Sequence, residues 1–215
     1  MRYLALACLL VVQHLHAEEF IIEGGTSPNG RYSILLLKRD NSGIAPGSLE
    51  DYGVVVRDNR TKTLRRLDGT VPRYNRIKGL FPMDDVGPQG FCKFEPAQQP
   101  VNSQAWWNPD STLVALCFRT TKHSRESYVY SVSKKSIHLV PLPDYDAVIY
   151  GRLGVKPGIR SYVRCPIEWV DNHTLKLFSW GDENECQIIL HIQMRGKHTP
   201  KASIVDVIKG KPLEG

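Results

Sequence analysis

Ala105-Trp106-Trp107-Asn108-Pro109-Asp110-Ser111-Thr112-Leu113-Val114-Ala115-Leu116-Cys117-Phe118 holds a turn and a strand in direct succession. Proline presets φ, and the short polar side chains of Asn108, Asp110 and Ser111 bond their own backbone, so the first half reads as a tight turn. Thr112–Phe118 is a short apolar run bounded by turn formers, which reads as a strand. A polar loop at Thr120–Glu126 then leads to a strand at Tyr128–Ser133, the Lys134-Lys135 turn, and a third strand at Ile137–Pro141. The unit is a turn, a strand, a polar hairpin loop and a second strand with its own hairpin.

The same order lies on either side of this block. Tyr32–Lys38 follows Ser27-Pro28-Asn29-Gly30, Tyr52–Arg57 follows a loop rich in Gly, Pro and Ser, and Leu64–Leu67 follows the polar turn Asp58–Thr61. Downstream, a strand from Ile167 into Trp169 precedes the turn Asp171–His173, the strand Thr174–Trp180, an acidic tip at Gly181–Glu185, the strand Gln187–Gln193 and a last one near Ser203–Ile208. A shift of 62 lays Trp107–Leu113 over Trp169–Leu175, and a shift of 81 lays Pro28-Asn29-Gly30 over Pro109-Asp110-Ser111. Helical periodicity is nearly absent after residue 17. These patterns predict an all-β fold made of antiparallel β-meander units at about 25–67, 105–141 and 167–208, with a long Pro, Gly and Gln-rich loop over 79–103 clipped to the body by Cys92.

The strings Ser27-Pro28-Asn29-Gly30-Arg31-Tyr32, Trp107-Asn108-Pro109-Asp110-Ser111 and Val54–Leu67 resemble the blades of TolB-like and WD-repeat β-propellers. In those families a Ser-Pro-Asp-Gly turn precedes the blade strand, and a later strand-turn-strand ends in a basic residue followed by Leu. The resemblance implies a propeller-like array. Propellers close with four to eight blades, and only three units are visible. The array is therefore expected to be open or incomplete, to be finished by irregular strands, or to assemble with a second copy.

The chain has 215 residues and a formal net charge of +6. Arg2, the apolar run Tyr3–Val12 and the small residue Ala17 before Glu18 and Glu19 have the layout of a secretory signal, so residues 1–17 are expected to be cleaved near Ala17. The apolar run is shorter than the ~20 residues of a membrane span, and no later stretch approaches that length. The mature chain, 18–215, is expected to be one soluble domain, periplasmic or extracellular. Too little apolar sequence precedes Cys8 for a lipidation signal. The mature chain keeps Cys92, Cys117, Cys165 and Cys186. An even count in an exported protein points to disulfides. Proximity along the chain favours Cys92–Cys117 and Cys165–Cys186, the alternative being buried free thiols. There is no CxxC and no His at ligand spacing, so neither a metal nor a cofactor is expected.

No nucleophile elbow, zinc-protease helix, phosphate loop or dinucleotide fingerprint is present, and the mature histidines His123, His138, His173, His191 and His198 are scattered. The acidic tip lacks the glycine and terminal Glu of a calcium loop and reads as solvated. Asn59-Arg60-Thr61 and Asn172-His173-Thr174 match the glycosylation sequon. Trp107 and Trp169 share one position in the unit and are expected to pack between sheets. Alternation makes Trp106 the exposed ring and a binding candidate. Between Arg57 and Lys78 stand Arg57, Arg60, Lys62, Arg65, Arg66, Arg73, Arg76 and Lys78 against only Asp58 and Asp68. Such a stretch attracts polyanions or acidic protein surfaces; equally, basic residues on an edge strand deter strand pairing. Export and the lack of interleaved stacking aromatics argue against nucleic acid. The sequence thus points to an exported, non-catalytic binding or scaffold protein contacting a protein or anionic partner through Arg57, Arg60, Arg65, Arg66, Arg73, Arg76 and Trp106. The alternatives are an extracytoplasmic hydrolase or lyase with a site assembled from loop residues such as His123, Asp144 and Asp146, and a capping member of a larger repeat protein.

Overall fold

The computed structural model describes residues 19–38, 52–67, 103–119, 125–154, 161–181, 185–194 and 200–210, and the structural statements below concern these residues. Turn chemistry sorts their strands into three four-stranded meanders. The first comprises β1 (Glu19–Thr26), β2 (Tyr32–Lys38), β3 (Tyr52–Asp58) and β4 (Leu64–Arg66). The second comprises β5 (Ser103–Trp107), β6 (Leu113–Arg119), β7 (Arg125–Val132) and β8 (Ile137–Leu139). After the helix α1 (Tyr145–Leu153) come β9 (Ser161–Trp169), β10 (Thr174–Gly181), β11 (Cys186–Gln193) and β12 (Lys201–Lys209). Neighbours within each meander are antiparallel. The meanders meet through two short parallel contacts, β1 with β5 at Glu23 and Gln104, and β7 with β9 at Arg125 and Val163. The result is a strongly curled, open, all-β propeller-like array, with β12 and β4 at the two ends of the strand order.

Burial explains why the middle meander reads as a continuous apolar run. In β6, Val114, Leu116 and Phe118 face the first meander and join Ile22, Ile34, Leu36 and Val56 in one core cluster. Leu113 and Ala115, on the opposite face, join Leu175, Leu177, Ile188 and Leu190 of the third meander in another. A strand covered on both faces has no polar side to alternate with. The third meander is covered mainly on one face, with Phe178 and Cys165 the residues buried on the other. Leu175 and Leu177 are buried, Lys176 between them points outward and pairs with Glu168 at 2.6 Å, and His191, Gln193 and Lys201 are exposed.

The first two meanders approach closely because of one glycine. Gly24 has φ +64°, and a Cβ there would lie 2.2 Å from the Ala105 carbonyl oxygen. Side chains then tie the meanders together in matching fashion. The indole Nε1 of Trp107 donates to the Gly25 carbonyl at 2.9 Å, and that of Trp169 donates to the Trp106 carbonyl at 2.8 Å. Both tryptophans pack between meanders as the sequence predicts, Trp107 in the first cluster and Trp169 half-buried against the second. The entry turns match as well. Tyr32 N–H donates to Ser27 Oγ and Leu113 N–H to Asn108 Oδ1, both at 2.9 Å, while Gly30 and Ser111 share a left-handed φ of 67° and 63°. Adjacent turns are bonded to one another: Asn29 N–H donates to Ser111 Oγ at 3.2 Å and Asn108 Nδ2 to the Asn172 carbonyl at 2.8 Å.

The sequence reading misses two elements. β1 begins at Glu19, ahead of the first expected unit, and α1 is a helix where none is expected. Asp144 caps α1 by accepting the Asp146 N–H at 3.0 Å, and Gly154, at φ 67°, ends it by donating to the Tyr150 carbonyl at 3.1 Å. Only Tyr145 and Ile149 are buried, too short a stripe to register as periodicity, so packing rather than propensity makes this helix. Of the expected loop over 79–103, Ser103 belongs to β5; the remainder, like residues 1–17, lies outside the described residues.

Candidate functional site

Strand reversal puts the turns after β1 and β3 on the same rim. Asn59 joins them, its N–H donating to the Arg31 carbonyl at 2.7 Å and its Nδ2 to the Gly30 carbonyl at 2.8 Å. Asp58 organises the β3–β4 turn. Its carboxylate accepts Arg31 Nη2 at 3.0 Å and the N–H groups of Arg60 at 3.0 Å and Thr61 at 3.4 Å. Burial acts to raise its pKa, but the Arg31 guanidinium and the two backbone donors outweigh that and hold it below the usual carboxylate value. Arg57 is half-buried and committed, bonding Glu19 Oε2 at 2.7 Å and Asn59 Oδ1 at 3.2 Å.

Arg65 makes the contact that extends this rim. Its Nη1 donates to the Ser133 carbonyl at 2.7 Å, and its guanidinium carbon lies 6.0 Å from the centre of the Tyr32 ring. The β7–β8 turn of the second meander is thereby fastened beside the β3–β4 hairpin of the first. In that turn Ser133 Oγ accepts the N–H groups of Lys135 and Ser136 at 3.2 and 3.0 Å, leaving the Lys134 and Lys135 side chains exposed at its tip. Arg60, Lys62 and Arg66 are exposed as well. The rim thus gathers five solvated cations from two meanders, while Glu19 and Asp58 are engaged by Arg57 and Arg31. Arg66 also sits on β4, at the end of the strand order, where a cation blunts edge pairing.

The chain matches no known family, no curated protein and no solved structure. The candidate site therefore stands on these residues alone. Of those named from sequence, Arg57, Arg60, Arg65 and Arg66 come together around one hairpin, whereas Arg73, Arg76 and Cys92 lie outside the described residues. Trp106 is half-buried against the second core cluster, not a projecting ring, because β5 too is covered on both faces. Lys134 and Lys135 are the residues the sequence reading passes over as a mere turn. A lysine pair at a hairpin tip was the available signal, but its partner hairpin is 68 residues away.

The residues of the enzymatic alternative have structural duties here. Asp144 caps α1, Asp146 pairs with Arg164 at 2.5 Å, and His123 is outside the described residues. Arg164 also lies 5.1 Å from the centre of the Tyr145 ring. The Tyr145 hydroxyl is buried without a partner, and burial raises its pKa. Among the described residues no three His, Cys, Asp or Glu side chains converge as metal ligands, and no helix is long and apolar enough to cross a membrane. In the two sequons, Asn59 Nδ2 is bonded to the Gly30 carbonyl and to Ser33 Oγ, and Asn172 Oδ1 accepts the Asp110 N–H.

The cysteines correct the expected Cys165–Cys186 pairing, while Cys92, the expected partner of Cys117, lies outside the described residues. Cys117, Cys165 and Cys186 are all buried, and none of the three is joined in a disulfide. β9 and β11 flank β10, which separates Cys165 from Cys186 by about two strand spacings, ~9–10 Å, beyond the ~7 Å Cα limit of a disulfide. Burial pushes the Cys186 thiol up to about 11 despite the Arg164 charge nearby. Cys117 and Cys165 are the two that meet, with sulfurs 3.2 Å apart.

Proposed function

We propose that this chain is an exported, non-catalytic binding protein whose open β framework presents a basic rim to an acidic protein surface or other polyanion. The observation that carries the reading is the Arg65–Ser133 bond, which sets the cations of two hairpins side by side. Separate exposed lysines are ordinary solvated charges, whereas cations gathered on a rigid rim raise the local concentration of an anionic partner and speed its encounter. Each turn is held by its own side-chain bonds to Asp58 or Ser133, so little ordering cost falls on binding. The internal correspondence of the three meanders and their likeness to propeller blades fit a scaffold that presents turns along one rim. The signal-like segment 1–17 supports export.

The test uses the chain lacking residues 1–17 and immobilised heparin as a model polyanion. Arg60→Ser, Lys62→Ser, Lys134→Ser and Lys135→Ser combined should lower the salt needed for elution, with thermal stability little changed. A charge-matched variant replacing Arg152, Lys176, Lys201 and Lys209, in α1 and the third meander, should elute like the parent. Equal losses in both variants would reduce the interaction to net charge, and an unchanged elution of the rim variant would end the proposal.

A further inference from the structure

We infer that Cys117 and Cys165 are the chain's disulfide-forming pair, a covalent staple between the second and third meanders. Cys117 lies in β6 and Cys165 in β9, 48 residues apart along the chain, and both side chains are buried. Their sulfurs must close by only about 1.2 Å from 3.2 Å to reach bonding distance, a shift within the reach of small side-chain rotations. Two neighbouring bonds fix this contact. The Arg164 carbonyl, adjacent to Cys165, accepts Ser127 Oγ at 2.5 Å and lies 3.8 Å from Cys117 Sγ. Ser127 is in turn the cross-strand partner of Cys117. The carbonyl of one strand and the thiol and hydroxyl of the other two thus hold the cysteines in register.

The position gives the bond a purpose. Among the described residues the second and third meanders share a single paired position, Arg125 with Val163, and the array is open, so no ring closure keeps the third meander in place. A disulfide here joins them directly and encloses α1 within its loop. The third described thiol is no competitor, because Cys186 projects from the row it shares with Ser179, whereas Cys165 shares a row with Phe178.

The chemistry is thiol–disulfide exchange with an external disulfide, a small molecule or an oxidoreductase, during folding and before the pair is buried. One thiolate attacks that disulfide and expels the first external thiolate. The other cysteine thiolate then attacks the mixed disulfide, forming the Cys117–Cys165 bond and expelling the second. The two cysteines lose two electrons and two protons, and the external disulfide becomes two thiols.

The experiment refolds the full mature chain from denaturant in a reduced and oxidised glutathione buffer, alkylates the free thiols, and maps peptides without reduction. One cross-linked species containing Cys117 and Cys165 is expected, with Cys92 and Cys186 alkylated. Dithiothreitol should lower the Tm of the oxidised protein by roughly 5–15 °C, and this response should vanish in Cys117→Ala and in Cys165→Ala. Linkage of either residue to Cys92 or Cys186, or four alkylated thiols, overturns the inference. Where an alanine variant does not fold, the wild-type map decides alone. The linkage does not depend on the basic rim, so loss of heparin binding with the cross-link intact would reject only the rim.

Discussion

Removing the Trp107 indole N–H while keeping an aromatic ring isolates the bond that joins the first two meanders. Trp107 is 9% exposed, stacks on Tyr32 with centroids 6.1 Å apart and planes at 14°, and donates to the Gly25 carbonyl at 2.9 Å. Trp107→Phe retains most of the stacking but strands a buried carbonyl, for an expected loss of about 1–3 kcal/mol. Trp107→Ala also removes the ring and opens a cavity in the first core cluster, for about 3–5 kcal/mol. Trp169 makes the equivalent bond from a half-buried position, so Trp169→Ala should cost less than Trp107→Ala. Arg66→Ser, on an exposed edge, should stay within about 0.5 kcal/mol. Urea unfolding at constant m gives all four values. A Trp107→Phe protein as stable as the parent would show that the indole bond contributes nothing, and a Trp107→Ala loss below that of Trp169→Ala would overturn the account of the junction.

Gly24→Ala should cost well above the ~1–2 kcal/mol of a left-handed alanine, since its Cβ would collide with the Ala105 carbonyl; Gly30→Ala, at φ +67° with nothing within 4 Å, should cost only that backbone term. Equal losses by urea melt would dismiss the close approach at Gly24. Asp58 and Asp171 both have lowered folded-state pKa values, Asp171 because the His173 N–H and Thr174 bond its carboxylate. Their stabilisation is therefore complete above the ordinary carboxylate pKa of 3.8 and is lost as pH falls through that value toward the folded pKa. Urea midpoints should hold from neutral pH down to about pH 5 and then decline, with a shallower decline in Asp58→Asn; an identical slope would remove Asp58 from the acid response. Asp144→Ala should cost about 1 kcal/mol, read as early loss of helical ellipticity at α1, and no change would mean that packing of Tyr145 and Ile149 suffices without the cap.

Turns and strands were legible because their signals are local. Asn108-Pro109-Asp110-Ser111 specifies its turn through its own side chains, and Tyr32–Lys38 and Leu113–Arg119 emerge as strands at or within a residue of the expected bounds. Trp107 and Trp169 each donate an indole N–H to a carbonyl of the preceding meander, and Gly30 and Ser111 share a left-handed φ. What tertiary structure alone decided was which faces and which distant groups meet. Trp106 should alternate outward, yet a third meander covers that face. Cys165 lies nearer Cys186 along the chain, yet β10 separates them and the curl of the sheet brings Cys117 instead. The basic stretch was visible as composition, but its joining to Lys134 and Lys135 depends on Arg65 reaching a carbonyl in another meander. Local pattern sets the period of a strand and the shape of a turn; partners across an interface follow from how whole sheets stack, which no window of sequence contains.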